Sequence, residues 1–480
     1  MFVYTSEQIR TADAAAEKQG LTGFMLMEAA GRELFQKLEK LLDKRNRILI
    51  LAGPGKNGGD GIVAARYLLQ NGYACDLTFP AGEPKDETAG RHAQILRDQG
   101  FRSVERSGSY DVIVEALTGI GTSLPLRESV KEILDWANGE KALKIAVDVP
   151  AGVLADRGEA DPSAFQADVT FSIHGFKPSL FMEETAEYYG RAEVVEIGLP
   201  QDSSVRVWTK EDVKRTFPKR ASGSHKGTFG NGLIIAGSDD MPGAAILCSL
   251  SAKRSGIGKL TVGTSQFVAG IIASRVPECV FLFDGLQKTA EGDISEKMTA
   301  AAIGPGLHYG ETLEAAVEQL LKTEIPLIID AGALVERRYP GRKAPVIVTP
   351  HPGEFQKMTG KEIKEFQQVR IETASRFSRE NGVITVLKGR NTVIAYPDGE
   401  VRINMAGNAG LAKGGSGDSL TGIMLAHAAS YKDIKDAVSN AVYFHAACAD
   451  YWKETRAKTT LLASDINKTM PYVMKEFEVD

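Results

Sequence analysis

At 480 residues the chain is longer than one hydrophobic core usually organises, so two or three domains are expected and two large α/β domains fit the length. With 43% hydrophobic and 25% charged residues it reads as globular rather than disordered. A formal net charge of -5 gives no basic field for nucleic acid or anionic lipid, which leaves small-molecule chemistry with any anion held locally.

In chain order, Ser6 can cap a helix through EQIRTADAAAEKQ that Gly20 ends, and MLMEAAGRELFQKLEKLL has apolar residues at helical spacing, with Met25 and Met27 read as core. A strand, RILILAG, then a glycine-rich loop, GPGKNGGDG, then a helix, GIVAARYLLQNG, follow. Strands ACDLTFP, DVIVEAL and KIAVDVP alternate with helical stretches, one around SVKEILDWAN, which indicates a mostly parallel sheet covered on both faces. The pattern resets near residue 205, where WTKEDVKRTFPKRASGSHKG is polar, basic and broken by Pro218. Domains over 1–205 and 206–480 are therefore expected. The second series runs GLIIAGS, KLTVGTS, AAIGPG, PLIIDAG, PVIVTPHPGE and ITVLKG, and ends in helices after GGSGD and around AVSNAVYFHAACADYWKE. The halves share an architecture type without an obvious repeat.

Cys75, Cys248, Cys279 and Cys448 lie far apart with no C-x-x-C pair, so buried reduced thiols are expected rather than a zinc site or disulfides. No apolar run approaches the roughly 18 residues of a membrane span, and the chain reads as cytoplasmic. Self-association is left open.

Gly53 to Gly61 lies between a strand and a helix, where backbone N–H groups and the helix dipole can hold a phosphate. Its glycine spacing is not the dinucleotide fingerprint, and Asn57 and Asp60 add side chains that a bare phosphate cradle does not need. Taken alone, the loop also suits a tight turn with Asp60 capping the helix. Glu115 and Asp148 each put a carboxylate at a strand's C-terminal end, the ligand-binding edge of an open α/β sheet, though either singly suits a loop cap as well.

Together these segments resemble the epimerase domain of NAD(P)H-hydrate repair proteins over about residues 1–205. The resemblance implies a Rossmann-like three-layer α/β/α domain that interconverts the R and S forms of hydrated NADH and NADPH. It implies substrate contacts from Lys56, Asn57, Gly58, Gly59 and Asp60, and from the loop Gly119, Ile120, Gly121, Thr122, Ser123, Leu124 and Pro125. Asp148 would bind substrate and act as the acid/base, while Asn57, Glu115 and Ala151 would hold a potassium ion. Three positions depart from the family pattern: Lys56 stands for an asparagine, Glu115 for an aspartate and Ala151 for a serine, leaving only a backbone carbonyl at 151 to meet the ion.

The second half carries the more specific signal. Small residues Gly243, Ala244 and Ala245 open a helix, and AIGPGL, IIDAGAL and TPHPGEF each end a strand in glycine or proline plus a polar group. In GGSGD, Gly414, Gly415 and Gly417 bring bare amides to a helix N-terminus, an anion hole for phosphoryl transfer, with Asp418 at its mouth to take a proton from an attacking hydroxyl. His351 alone suits a structural histidine; within TPHPGEF it becomes a candidate substrate contact.

This half looks like the ribokinase superfamily, and within it resembles the ADP-dependent NAD(P)H-hydrate dehydratase over residues 206–480, through SHKGTFG, GPG, TPHPGEF, KGxxT and GGxGD in that order. The resemblance implies that Ala244 or Ala245, Gly306 and His351 contact the hydrated nucleotide. Lys388, Gly389, Arg390, Asn391, Thr392 and Gly417 would hold the adenine nucleotide, and Asp418 would serve the reacting hydroxyl, with Mg²⁺ and ADP as co-substrate. Gly332 and Ser416 depart slightly from the family, which has aspartate and threonine there. The rival expectation is a small-molecule kinase of the same superfamily fused to a non-catalytic nucleotide-binding first domain.

Overall fold

The segment Arg47–Ala52 (β1) is apolar at every position after the first, and so short an apolar run suits a strand buried on both faces. In the computed structural model, which describes residues 1–104 and 108–478, it lies inside a parallel sheet. Ile48 and Ile50 face one apolar cluster while Leu49 and Leu51 face another, the period of two that a strand imposes. All four are fully buried, so helices cover both faces.

The chain divides into two compact units, Met1–Val205 with Gln367–Val369, and Arg206–Phe366 with Arg370–Asp480. In the first, β1 is joined by Ala74–Thr78 (β2), Val112–Ala116 (β3), Leu143–Val147 (β4), Val169–Ile173 (β5) and Arg191–Val195 (β6), in the order β2-β1-β3-β4-β5-β6. Every pairing in this sheet is parallel. Neighbours of β1 reverse in direction of progression between β2 and β3, which makes a switch point there, the place where such sheets open a ligand crevice.

The second unit's sheet holds Val205–Val207 (β7), Asn231–Ile235 (β8), Lys259–Thr264 (β9), Val280–Phe283 (β10), Ala300–Ile303 (β11), Leu327–Ile329 (β12), Val346–Val348 (β13), Ile384–Leu387 (β14), Thr392–Ala395 (β15) and Val401–Asn404 (β16). Its order is β10-β9-β8-β11-β12-β13-β14-β15-β16-β7, with a switch point between β8 and β11 and an antiparallel extension from β14 to β16. Ile234, Ala302 and Ile328 pack on one face and Leu233, Ala301 and Leu327 on the other, so this sheet too is sandwiched between helices. The fold is thus α/β throughout, Rossmann-like in the first unit and ribokinase-like in the second. No helix among the described residues is long and apolar enough to cross a membrane.

Three local expectations change. Thr5, not Ser6, caps the first helix, because its hydroxyl accepts the Gln8 N–H and Gln8 returns a bond to the Thr5 N–H. The helix after β1 begins at Lys56 rather than beyond the glycines, so Asn57 to Asp60 form its first turn. All four cysteines are free, but Cys75 and Cys279 are only partly buried.

Candidate active sites

The first unit's switch point is where its candidate residues meet. The loops after β1 and β3 are tied by a 2.9 Å bond from the Gly53 N–H to the Ala116 carbonyl, and the Gly58 backbone packs so closely that a Cβ there would lie 1.9 Å from the Gly53 oxygen. Over this floor opens a cavity of about 580 Å³, lined among others by Lys56, Asn57, Asp60, Ile120, Gly121 and Asp148. Gly58 and Gly59 sit beneath it as packing, the latter against Met27. Thr122 folds back to bond Thr118 and Gly119, and Thr122 to Pro125 do not line the cavity. Met27 is buried as expected of core, whereas Met25 is exposed.

Glu115 is wholly buried, its two oxygens accepting the N–H groups of Leu117 at 2.6 Å and Ala151 at 3.0 Å. Burial pushes its carboxyl up to about 7, the two backbone donors oppose this, and Asp148 adds to the rise. Nearby, Asn57 donates to the Val147 carbonyl at 2.9 Å, while among the described residues its buried Oδ1 has no hydrogen-bond partner. The Ala151 carbonyl already accepts from Phe165.

Asp148 follows β4 in the left-handed region at φ 73°, and His174 follows the neighbouring β5 at φ 64°. Aspartate and histidine tolerate that region better than most residues, yet each such residue costs of order 1–3 kcal/mol, and such strain concentrates at functional sites. Burial also holds the Asp60 carboxyl well above its ordinary range, with Asp148 and Asp13 adding to the effect. Cavity residues absent from the sequence reading include Asp13, His174 and Lys177. None lies in a glycine motif, and β5, which delivers the last two, carries no loop signal of its own.

The second site sits at the C-terminal ends of β12, β13 and β14. Asp330, fully buried after β12, accepts from Thr349 at 2.7 Å, from Thr421 at 2.6 Å and from Lys388 at 3.2 Å. Lys388, just after β14, also lies 3.6 Å from Glu354. Since Thr421 belongs to the helix Ser416–Ser430, this network fixes Lys388 against the helix that bears Asp418. Gly415 caps that helix at φ 87°, a conformation that suits glycine, and a side chain there would strike Leu247. A Cβ on Gly417 would lie 3.4 Å from Lys388 Nζ, so lysine and glycine loop share one surface. Burial pushes the Asp418 carboxyl up to about 6, Asp330 and Glu354 adding to the rise and Lys388 opposing it. From behind, buried His445 donates to the Ser416 carbonyl at 2.9 Å.

At the other switch point the Gly237 N–H bonds the Pro305 carbonyl at 2.9 Å, and a side chain on Gly306 would meet the Ala244 Cβ. Ala245 is fully buried in the core, so of that pair only Ala244 is accessible, because the helix turns its neighbour inward. His351 caps the helix Pro352–Thr359: its Nδ1 accepts the N–H groups of Gly353 and Glu354, while Glu354 accepts the His351 N–H. The ring itself is exposed. Beyond Lys388, Gly389 and Arg390 are exposed, Asn391 is buried, and Thr392 bonds back to Gly389. Asp330 and Thr421 were not singled out from sequence, although Asp330 stands inside the IIDAGAL segment.

Family models match both halves: "YjeF-related protein N-terminus" over residues 23–179 and "NAD(P)H-hydrate dehydratase" over 232–472. The bifunctional NAD(P)H-hydrate repair enzyme Nnr of Thermofilum pendens is 32% identical, covering 97% of this chain and 94% of its own. That of Escherichia coli K12 is 31% identical, with 98% and 94% covered. The chain belongs to the bifunctional NAD(P)H-hydrate repair enzyme family.

Within this repair family the second half has nearer relatives. The ADP-dependent (S)-NAD(P)H-hydrate dehydratase of Bacillus subtilis is 48% identical over 57% of this chain and 100% of its own. A crystal structure of the ADP/ATP-dependent NAD(P)H-hydrate dehydratase from the same organism, co-crystallized with ATP/Mg²⁺, superposes with a TM-score of 0.56 at 48% identity, covering 57% of this chain and 99% of that one. Among the described residues no group of three or more His, Cys, Asp or Glu is disposed to hold a metal ion.

Proposed function

We propose that this chain repairs hydrated nicotinamide nucleotides. The first unit, within 1–205, interconverts the R and S hydrates of NADH and NADPH; the second, within 206–480, dehydrates the S form at the expense of ADP, giving AMP, phosphate and the reduced cofactor. The observation that carries this reading is Asp418 in the first turn of a glycine-opened helix with Lys388 alongside. Similarity to bifunctional repair enzymes over both halves supports it above the rival, a kinase that releases a phosphorylated product.

In the second site Asp418 takes the proton of the substrate hydroxyl, whose oxygen then attacks the terminal phosphorus of ADP as AMP leaves. Amides at the mouth of the glycine loop and Lys388 stabilise the charge that gathers on the phosphoryl oxygens. The phosphate ester so formed is the better leaving group: the ring nitrogen's electron pair expels it, and loss of a ring proton restores the dihydropyridine. Glu354 supplies hard oxygen donors of the kind Mg²⁺ takes, and that ion needs only one or two carboxylates beside phosphates and water. When bound, Mg²⁺ would neutralise developing phosphoryl charge.

In the first site Asp148 exchanges a proton with the hydroxyl on the hydrated ring carbon. Water leaves as the ring nitrogen supplies its electron pair, and returns to either face as the proton goes back. The orphaned buried Oδ1 of Asn57 and the carboxylate of Glu115 fit a potassium ion, with the second lone pair of the Ala151 carbonyl as a further ligand. When bound, K⁺ would fix the loops and the charge beneath the substrate. Incubation of the chain with mixed hydrates of NADH, ADP and Mg²⁺ should regenerate the near-ultraviolet absorbance of the reduced cofactor from both epimers. Recovery of neither epimer would refute the reading.

A further inference from the structure

Lys177, in the first site, spends every donor of its side chain inside the protein. It is almost fully buried, and its ammonium donates to Asp148 Oδ1, to the Ile173 carbonyl at 2.7 Å and to the Gly175 carbonyl at 3.0 Å. An ammonium has three protons, and three acceptors take them, so none is left for a substrate. The chain turns sharply to achieve this. His174, in the left-handed region, and a 2.8 Å bond from the Gly175 N–H to the Ile173 carbonyl fold the segment after β5 back, bringing Lys177 against the end of β4.

Asp148 is pinned to match. Its N–H bonds the Phe171 carbonyl at 2.8 Å, its carbonyl accepts from Ser172 at 2.9 Å, and Oδ1 takes a second bond from the Ile173 N–H at 3.0 Å. Among the described residues no hydrogen bond reaches Oδ2, and Asp148 lines the cavity. One carboxylate oxygen is thus locked and the other left for chemistry.

We propose that Lys177 is a positioning residue of the first site, acting through Asp148 by fixing Oδ1 so that Oδ2 alone exchanges protons with the substrate. The proposal rests on the epimerase reading above. A group held this way works by geometry: misplacement by about 1 Å can cost roughly 100-fold in rate. Substrate affinity, to which Lys177 offers no donor, stays.

The test follows conversion of the R hydrate to the S hydrate by chromatography, without ADP, in the full-length chain. Lys177→Met should lower kcat by roughly 10- to 100-fold with KM changed by less than about threefold. Lys177→Arg, which restores a cation able to bond Oδ1, should recover part of kcat. If Lys177→Met does not fold, Lys177→Gln, which keeps a polar group in the polar niche, carries the same comparison. A rise in KM at unchanged kcat, or an arginine variant no faster than the neutral one, would overturn the proposal by making Lys177 a binding or packing residue. Wild-type catalysis with a neutral variant equally fast overturns the proposal alone, whereas a wild-type rate equal to the spontaneous one overturns the epimerase reading and the proposal with it.

Discussion

Replacing Asp418 by Asn separates what the second site gains in chemistry from what it sacrifices in stability. The carboxyl stands at about 6 against an ordinary 3.8 because burial and its acidic neighbours disfavour the anion. Moving a carboxyl that far corresponds to roughly 3 kcal/mol of penalty on the charged form. The sign follows from proton linkage. Between about pH 4 and 6 the native state keeps a proton that the unfolded chain has lost, so stability falls as pH rises through that window and stays reduced above it. Asn has no such proton, so the variant should be more stable by up to about 3 kcal/mol at neutral pH and by little near pH 4. Its nucleotide-dependent repair should fall by roughly 10²- to 10⁴-fold, the worth of a placed general base. In the wild type kcat/KM for that repair should be half-maximal near pH 6, where the base loses its proton. Urea unfolding across pH and the absorbance assay measure both halves of the argument. A variant that is less stable at neutral pH, or that keeps repair within tenfold of wild type, would refute it.

Two other perturbations probe the first site. Gly58→Ala would drive a Cβ to 1.9 Å of the Gly53 oxygen, so epimerisation should be lost while ADP-dependent repair of the S hydrate persists; chromatography of the two epimers with and without ADP measures both, and wild-type epimerisation would contradict the packing described for this loop. Because Glu115 stands at about 7, a potassium ion has to displace its proton at lower pH, so the K⁺ concentration for half-maximal epimerisation should be several-fold higher near pH 6 than near pH 8. Equal K⁺ dependence at both would remove Glu115 from the ion's ligands.

Much of this was legible because the two signals, apolar runs and glycine loops, are local. The run RILILAG and the glycines behind it placed β1 and its loop, and GGSGD placed Asp418 in the first turn of its helix. The helix start at Lys56 was not legible, since glycine's poor helix propensity argues against it, while close packing of Gly58 on Gly53 and Gly59 on Met27 decides the matter. The antiparallel strands β15 and β16 were likewise missed, their pairing being set by register across the sheet rather than by any residue pattern. Long-range polar partners are the hardest class. Nothing in IIDAGAL says that Asp330 gathers Thr349, Lys388 and Thr421 from three distant segments, and nothing in HGFKPS says that its lysine reaches the end of another strand. His351 shows the opposite case, where the structural reading of the residue holds: Nδ1 serves the helix, and the ring stays exposed.

That capping arrangement also decides how the ring can read a ligand. With Nδ1 accepting two backbone N–H groups, the neutral ring carries its proton on Nε2, so His351 is a tautomer-locked donor. A ligand at this ring would meet a donor, suited to a carboxamide or phosphate oxygen, which Nε2 would share with Glu354 Oε1 at 3.5 Å. The helix start would thus set the polarity of one contact before any ligand arrives.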